Sequence, residues 1–98
     1  MNSFEELISS QKPVLVDFYA TWCGPCKMMA PILEDVKKTV GDKATIVKID
    51  VDQHQELSMQ YNVQSVPTLM LFKNGELLWR EAGVHQAQDI VNLLSKHY

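Results

Sequence analysis

Cysteine is scarce in this chain, with two residues among 98, and that scarcity narrows what they can do. A structural zinc site takes four ligands. Beyond Cys23 and Cys26 there is no further cysteine, and His54, His85 and His97 fall at no paired-ligand spacing, so no metal is expected. A bridge between residues so close in sequence stabilises a fold weakly, because closing a short loop removes little entropy from the unfolded chain. Long apolar runs are missing as well, and no stretch reaches the ~20 residues needed to span a bilayer. The start, Met1-Asn2-Ser3-Phe4, shows no charged-then-apolar leader and passes straight into a helical pattern. Basic excess is absent: the net charge is −3, which leaves no electrostatic footprint for nucleic acid. Repeats, linkers and low-complexity segments are also lacking. A hydrophobic share of 46% suffices for one modest core. The expectation is a single domain over residues 1–98, cytoplasmic, with neither membrane nor nucleic acid as a partner.

What is present centres on Trp22-Cys23-Gly24-Pro25-Cys26. The i,i+3 spacing puts both thiols on the first turn of a helix, within reach of a disulfide. Val14 to Tyr19 before it is nearly continuous in apolar residues and reads as a buried strand, broken only by Asp17. Lys27 to Val40 after it reads as an amphipathic helix. Cys23 therefore falls where a strand hands over to a helix N-terminus, and there the macrodipole and free backbone N–H groups favour an anion. The thiolate is the reactive form of cysteine, so the position activates it. A dithiol/disulfide redox pair is the reading that strand, motif and helix support together.

The remaining elements follow from periodicity and punctuation. Ser3-Phe4-Glu5-Glu6 has capping-box form, with Phe4, Leu7 and Ile8 as one apolar helix face. Met28, Met29, Ile32, Leu33, Val36 and Val40 keep helical spacing, and Pro31 inside that helix predicts a kink. Ala44 to Asp50 is a second strand, parallel to the first across a βαβ unit. A short helix is expected over 53–61, then a loop from Asn62 to Pro67. Thr68–Lys73 and Glu76–Arg80 flank Asn74-Gly75, the strongest short hairpin signal. Gly83 interrupts the chain, and a helix over Asp89–His97 closes it.

With these elements placed, the sequence resembles the thioredoxin family. The resemblance runs from about Val14 to the last helix. It rests on Val16-Asp17-Phe18, Trp22-Cys23-Gly24-Pro25-Cys26-Lys27-Met28, Ala30-Pro31, Val66-Pro67-Thr68 and Phe72-Lys73-Asn74-Gly75, in that order. It implies an α/β thioredoxin-like fold with a central mixed sheet flanked by helices. It implies a protein-disulfide reductase with no cofactor beyond its Cys23–Cys26 pair, disulfide-containing clients and a thioredoxin reductase as electron donor. By the same resemblance Cys23 attacks the client disulfide and Cys26 resolves the mixed disulfide, and the helix start is expected to expose the first cysteine and bury the second one turn in. Asp17 exchanges protons near Cys26, with Lys48 beside it. Pro67 is cis and packs opposite the cysteines. The Val66 backbone pairs with an extended client segment, Trp22, Gly24 and Pro25 shape the motif, and Gly83 borders the groove.

Plainer readings stand beside these. Asp17 fits a tolerated carboxylate at a strand edge, Lys48 a solvated strand residue, Pro67 an ordinary trans proline, and Trp22 plain core. Two departures from the family pattern also show. Only Met1 and Asn2 precede the first helix, where the family usually has a strand, so four strands are expected rather than five. That leaves the strand at 44–50 without its usual edge partner; it is exposed, covered, or paired with a second molecule, in a chain otherwise expected to be a monomer. Tyr19 also stands where tryptophan is common. Two other functions compete: an exported thiol oxidase or isomerase, and a non-catalytic module. Oxidising relatives commonly carry a histidine between the cysteines, and Gly24-Pro25 lacks that cation, which favours reduction.

Overall fold

A computed structural model describes residues 3–98 of the chain. The elements are α1 (Ser3–Ile8), β1 (Val14–Tyr19), α2 (Gly24–Val40), β2 (Thr45–Asp50), α3 (Gln55–Gln60), β3 (Thr68–Lys73), β4 (Glu76–Ala82) and α4 (Ala87–Ser95), with one 3-10 turn at Gly41–Lys43. The apolar run of β1 puts it in the interior, where it pairs on both sides. β2 lies parallel to it, with Asp17 opposite Lys48 in register. β3 lies antiparallel on its other side. The sheet order is β2-β1-β3-β4, so among the described residues four strands form the mixed sheet and β2 is paired on one side only. Met1 and Asn2, to which the expected loss of a first strand was tied, lie outside the described residues.

Side chains alternate across a strand, and β1 uses both faces. Leu15 joins Leu69 and Leu71 beneath Met29, Leu33 and Val36 of α2 and Ile90 and Leu94 of α4. Val14, Val16 and Phe18 join Met70 and Phe72 on the opposite face, under Phe4 and Ile8 of α1. The same alternation sets Asp17 on the α2 face. Phe72 and Tyr61 meet edge to face at 5.5 Å, which ties the end of α3 to the second core.

Helix α2 runs unbroken through Pro31. Proline has no N–H, so the Lys27 carbonyl one turn back loses its usual partner there. The helix ends at Gly41, whose φ of 56° is open to glycine and whose N–H caps the Lys37 carbonyl. The hairpin turn forms as its sequence requires, with Asn74 at φ 54° and Gly75 at φ 82°.

Several boundaries differ from the sequence expectation. α3 begins at Gln55, not 53, because Asp50 organises a turn first: its carbonyl accepts from the N–H groups of Gln53 and His54, and its Oδ1 accepts from the Asp52 N–H at 2.9 Å. β4 reaches Ala82, two residues past Arg80, and its register shifts by one residue at Leu78. α4 spans Ala87–Ser95 rather than 89–97; the Lys96 and His97 N–H groups bond three residues back, to Leu93 and Leu94, as a tightened last turn does. Ser3 lies within α1 rather than ahead of it.

Candidate active site

Cys23 is the N-cap of α2, in extended conformation, and Gly24 and Pro25 are the first helical residues. Proline is tolerated there because its missing N–H would lack an intrahelical partner anyway. The first sulfur acts as the capping acceptor: the Cys26 backbone N–H donates to Cys23 Sγ at 3.1 Å. Cys23 and Cys26 are joined in a disulfide with Cα atoms 5.3 Å apart. The expectation that the helix start exposes the first cysteine and buries the second is not met. Cys23 is 4% exposed and Cys26 5%. The two cysteines differ in the helix N–H delivered to Cys23 Sγ and hardly at all in residue exposure.

Around them stand most of the residues singled out in sequence. The Val66–Pro67 bond is cis and Pro67 is buried. Cys23 Sγ lies 3.6 Å from the Val66 carbonyl oxygen. Gly83, at φ 94°, donates its N–H to the Pro67 carbonyl at 2.8 Å, which fixes the proline against the end of β4. Trp22 is 69% exposed, so it is a surface residue and not core. Its indole N–H donates to Asp52 Oδ2 at 2.9 Å. Asp52 carries no signal in the sequence; it reaches Trp22 because parallel pairing brings the C-terminal ends of β1 and β2 together. A groove of about 170 Å³ beside the disulfide is lined by Trp22, Val51, Val63, Gln64, Ser65 and Val66. A larger hollow of about 650 Å³ lies between α1, α3 and Ile49. Neither is lined by a cysteine, but the smaller one is bounded by Trp22, the neighbour of Cys23, and by Val66, whose carbonyl oxygen lies 3.6 Å from Cys23 Sγ, so it is the one beside the redox pair.

Asp17 is fully buried, and neither carboxylate oxygen has a hydrogen-bond partner among the described residues. Burial disfavours its charged form and pushes the pKa up from 3.8 to about 6, while the Lys48 ammonium pulls the other way. Lys48 is exposed at the edge of the sheet, with Nζ 4.8 Å from the centre of the Tyr19 ring. That contact is a cation–π pair the usual tryptophan would also offer. Lys48→Met removes the one lowering influence, so the folded pKa of Asp17 moves further above about 6. Stability then goes on falling to a higher pH than in the parent, because the unfolded state deprotonates first and the folded state later. Urea unfolding across pH 3–8, a range of about five units that brackets the unfolded value of about 3.9 and the folded value, checks this; superimposable profiles for the two proteins contradict it.

A four-stranded mixed sheet carrying a disulfide at a helix N-terminus, opposite a cis-proline, defines a thiol–disulfide exchange protein of thioredoxin-like fold. The thioredoxin family model matches residues 1–96, and the chain belongs to the thioredoxin family. It is 53% identical over 93 residues to a thioredoxin-like protein of Synechocystis sp., covering 95% of this chain and 89% of that one. It is 47% identical to the thioredoxin of Bacillus subtilis, covering 91% and 86% of the two chains. The oxidised form of mitochondrial thioredoxin 3 from Saccharomyces cerevisiae superposes with a TM-score of 0.85 at 33% identity, over 96% of this chain and 87% of that one. The protein is a thiol–disulfide oxidoreductase acting on protein disulfides through its own redox-active pair. Among the described residues no group of three metal-ligating side chains occurs, and no helix is long and apolar enough to cross a membrane.

Proposed function

We propose that the chain works as a single-domain, monomeric reductant of protein disulfides in the cytoplasm, recharged by a thioredoxin reductase. The observation that carries this reading is the Cys26 N–H aimed at Cys23 Sγ on the first turn of α2. In the reduced protein that donor and the helix dipole stabilise a thiolate on Cys23 more than on Cys26. The Cys23 thiolate attacks one sulfur of a client disulfide, the client S–S bond breaks, and one client thiolate leaves. Cys26, as thiolate, then attacks Cys23 Sγ. The mixed disulfide breaks, the second client thiolate leaves, and two electrons have passed from the dithiol to the client.

Asp17 takes the Cys26 proton in that second step, and Lys48 tempers its basicity. A carboxyl held near pKa 6 is suited to this, being close to the working pH. Trp22, Gly24 and Pro25 form one wall of the client site, and the Val66 backbone, Pro67 and Gly83 form the other. The extended client segment lies along Val66, whose carbonyl is next to the attacking sulfur. The absence of a cation between the cysteines leaves the thiolate less stabilised than in an oxidase, so the pair donates electrons, as suits a reducing compartment.

The test is insulin reduction in the presence of dithiothreitol together with the equilibrium potential against glutathione. Catalysed precipitation of the insulin B chain and a potential more negative than about −200 mV are expected; a value near −120 mV would mark an oxidant instead. A chain that leaves insulin intact is a non-catalytic module.

A further inference from the structure

The segment that forms the client-facing wall is held from an unexpected direction. Four of the six residues lining the 170 Å³ groove, Val63 to Val66, belong to the connection between α3 and β3. Helix α3 ends in a turn in which Asn62 takes φ 54° and the Val63 N–H bonds back to the Ser58 carbonyl at 2.9 Å. Such an end leaves backbone carbonyls without intrahelical donors and favours a cation. Arg80 supplies it from the far edge of the sheet: Nη1 donates to the Tyr61 carbonyl at 2.7 Å and Nη2 to the Asn62 carbonyl at 3.3 Å. Three residues further along, Gly83 holds the other end of the segment through the Pro67 carbonyl. Thr68 adds a hydroxyl bond to the Ser65 carbonyl at 2.6 Å.

We propose that Arg80 is a positioning residue for client recognition: its guanidinium fork clasps the start of the 61–67 segment, and with Gly83 at the end it makes β4 the rail on which the groove wall is mounted. Arg80 touches neither sulfur nor the client. It acts by fixing where Val63 to Val66 stand, and so it bears on docking rather than on sulfur exchange. The planar fork suits two neighbouring carbonyls in a way a single ammonium does not. Arg80 is itself exposed, so replacing it empties no core position. The inference rests on the reductase reading above, since it needs the groove to receive protein clients.

The experiment compares the parent, Arg80→Met and Arg80→Lys in steady-state reduction of insulin and in reduction of dithiobis(nitrobenzoic acid), a small disulfide that needs no groove wall. For Arg80→Met, KM for insulin is expected to rise by about fivefold, the worth of a charge-assisted bond at an exposed site, with kcat within about twofold. The rate with the small disulfide and the reduction potential stay at the parent values. Arg80→Lys recovers at least part of the rise in KM. An unchanged KM in Arg80→Met overturns the proposal. So does an equal loss with both disulfides, which would place the effect at the cysteines or in the fold, and so does a lysine variant no better than methionine. Failure of the parent to reduce insulin is a separate result: it strikes the reductase reading and is seen before any variant is made.

Discussion

Cys26→Ser is expected to turn the protein from a catalyst into a trap. Cys23 can still attack a client disulfide, but a serine hydroxyl cannot break the mixed disulfide that results. Covalent adducts through Cys23 accumulate while turnover drops by roughly 10³-fold or more, as it does when an activated nucleophile is removed. Cys23→Ser loses turnover as completely and forms no adducts. The asymmetry follows from the helix N–H delivered to Cys23 Sγ and not from residue exposure, which is nearly the same for both cysteines. Non-reducing gels of each variant incubated with oxidised clients read the outcome directly. Comparable adducts from the two serine variants would show that the first sulfur has no privileged role.

Asp17→Asn is expected to make the protein more stable and slower at once. The carboxyl is fully buried and its pKa is pushed up from 3.8 to about 6, chiefly by desolvation. Below about pH 4 both folded and unfolded chains hold the proton and no penalty exists. As pH rises the unfolded chain deprotonates first and stability falls, until the folded pKa is passed at about 6. Above that the whole penalty persists, at about 3 kcal/mol for a shift of this size. Asparagine escapes it, less the cost of an unpaired buried amide of about 1–2 kcal/mol. The variant should therefore gain about 1–2 kcal/mol over the parent at pH 8 and nothing at pH 4. Resolution of mixed disulfides should slow by roughly 10²-fold, because the proton acceptor is gone. Urea unfolding at both pH values, paired with stopped-flow resolution rates, separates the two effects. A variant less stable than the parent at pH 8, or one that resolves just as fast, removes Asp17 from the role given to it.

How much of this could be read in advance divides along a physical line. β1 is legible because a nearly continuous apolar run has few alternatives, and the β3–β4 hairpin because Asn74-Gly75 tolerates positive φ at both positions. The active-site motif was legible because strand, cysteine pair and helix are adjacent in sequence. Boundaries failed where a side chain intervened locally: Asp50 builds a turn that delays α3, an effect that periodicity does not register. Asp52 and Arg80 escaped notice for a different reason. Their partners lie 30 residues away, at Trp22, and 18 to 19 away, at Tyr61 and Asn62. Such contacts exist only once the sheet order is fixed. In sequence each reads as one more charged residue near a turn. The burial of Cys23 is not legible because a helix N-terminus usually faces solvent, whereas here Tyr19, Val51 and Val66 pack against the cluster of Ala20, Cys23 and Cys26.

The covering of both sulfurs has a consequence for how the protein shares a compartment with small thiols. A thiolate in bulk solvent must line up with the sulfur it attacks, and a disulfide that shows so little surface offers few such approaches. A protein that lays a backbone along Val66 is guided to that approach by its own binding energy. On the reading proposed above, alignment supplied by docking therefore counts for more at this pair than it would at an open disulfide.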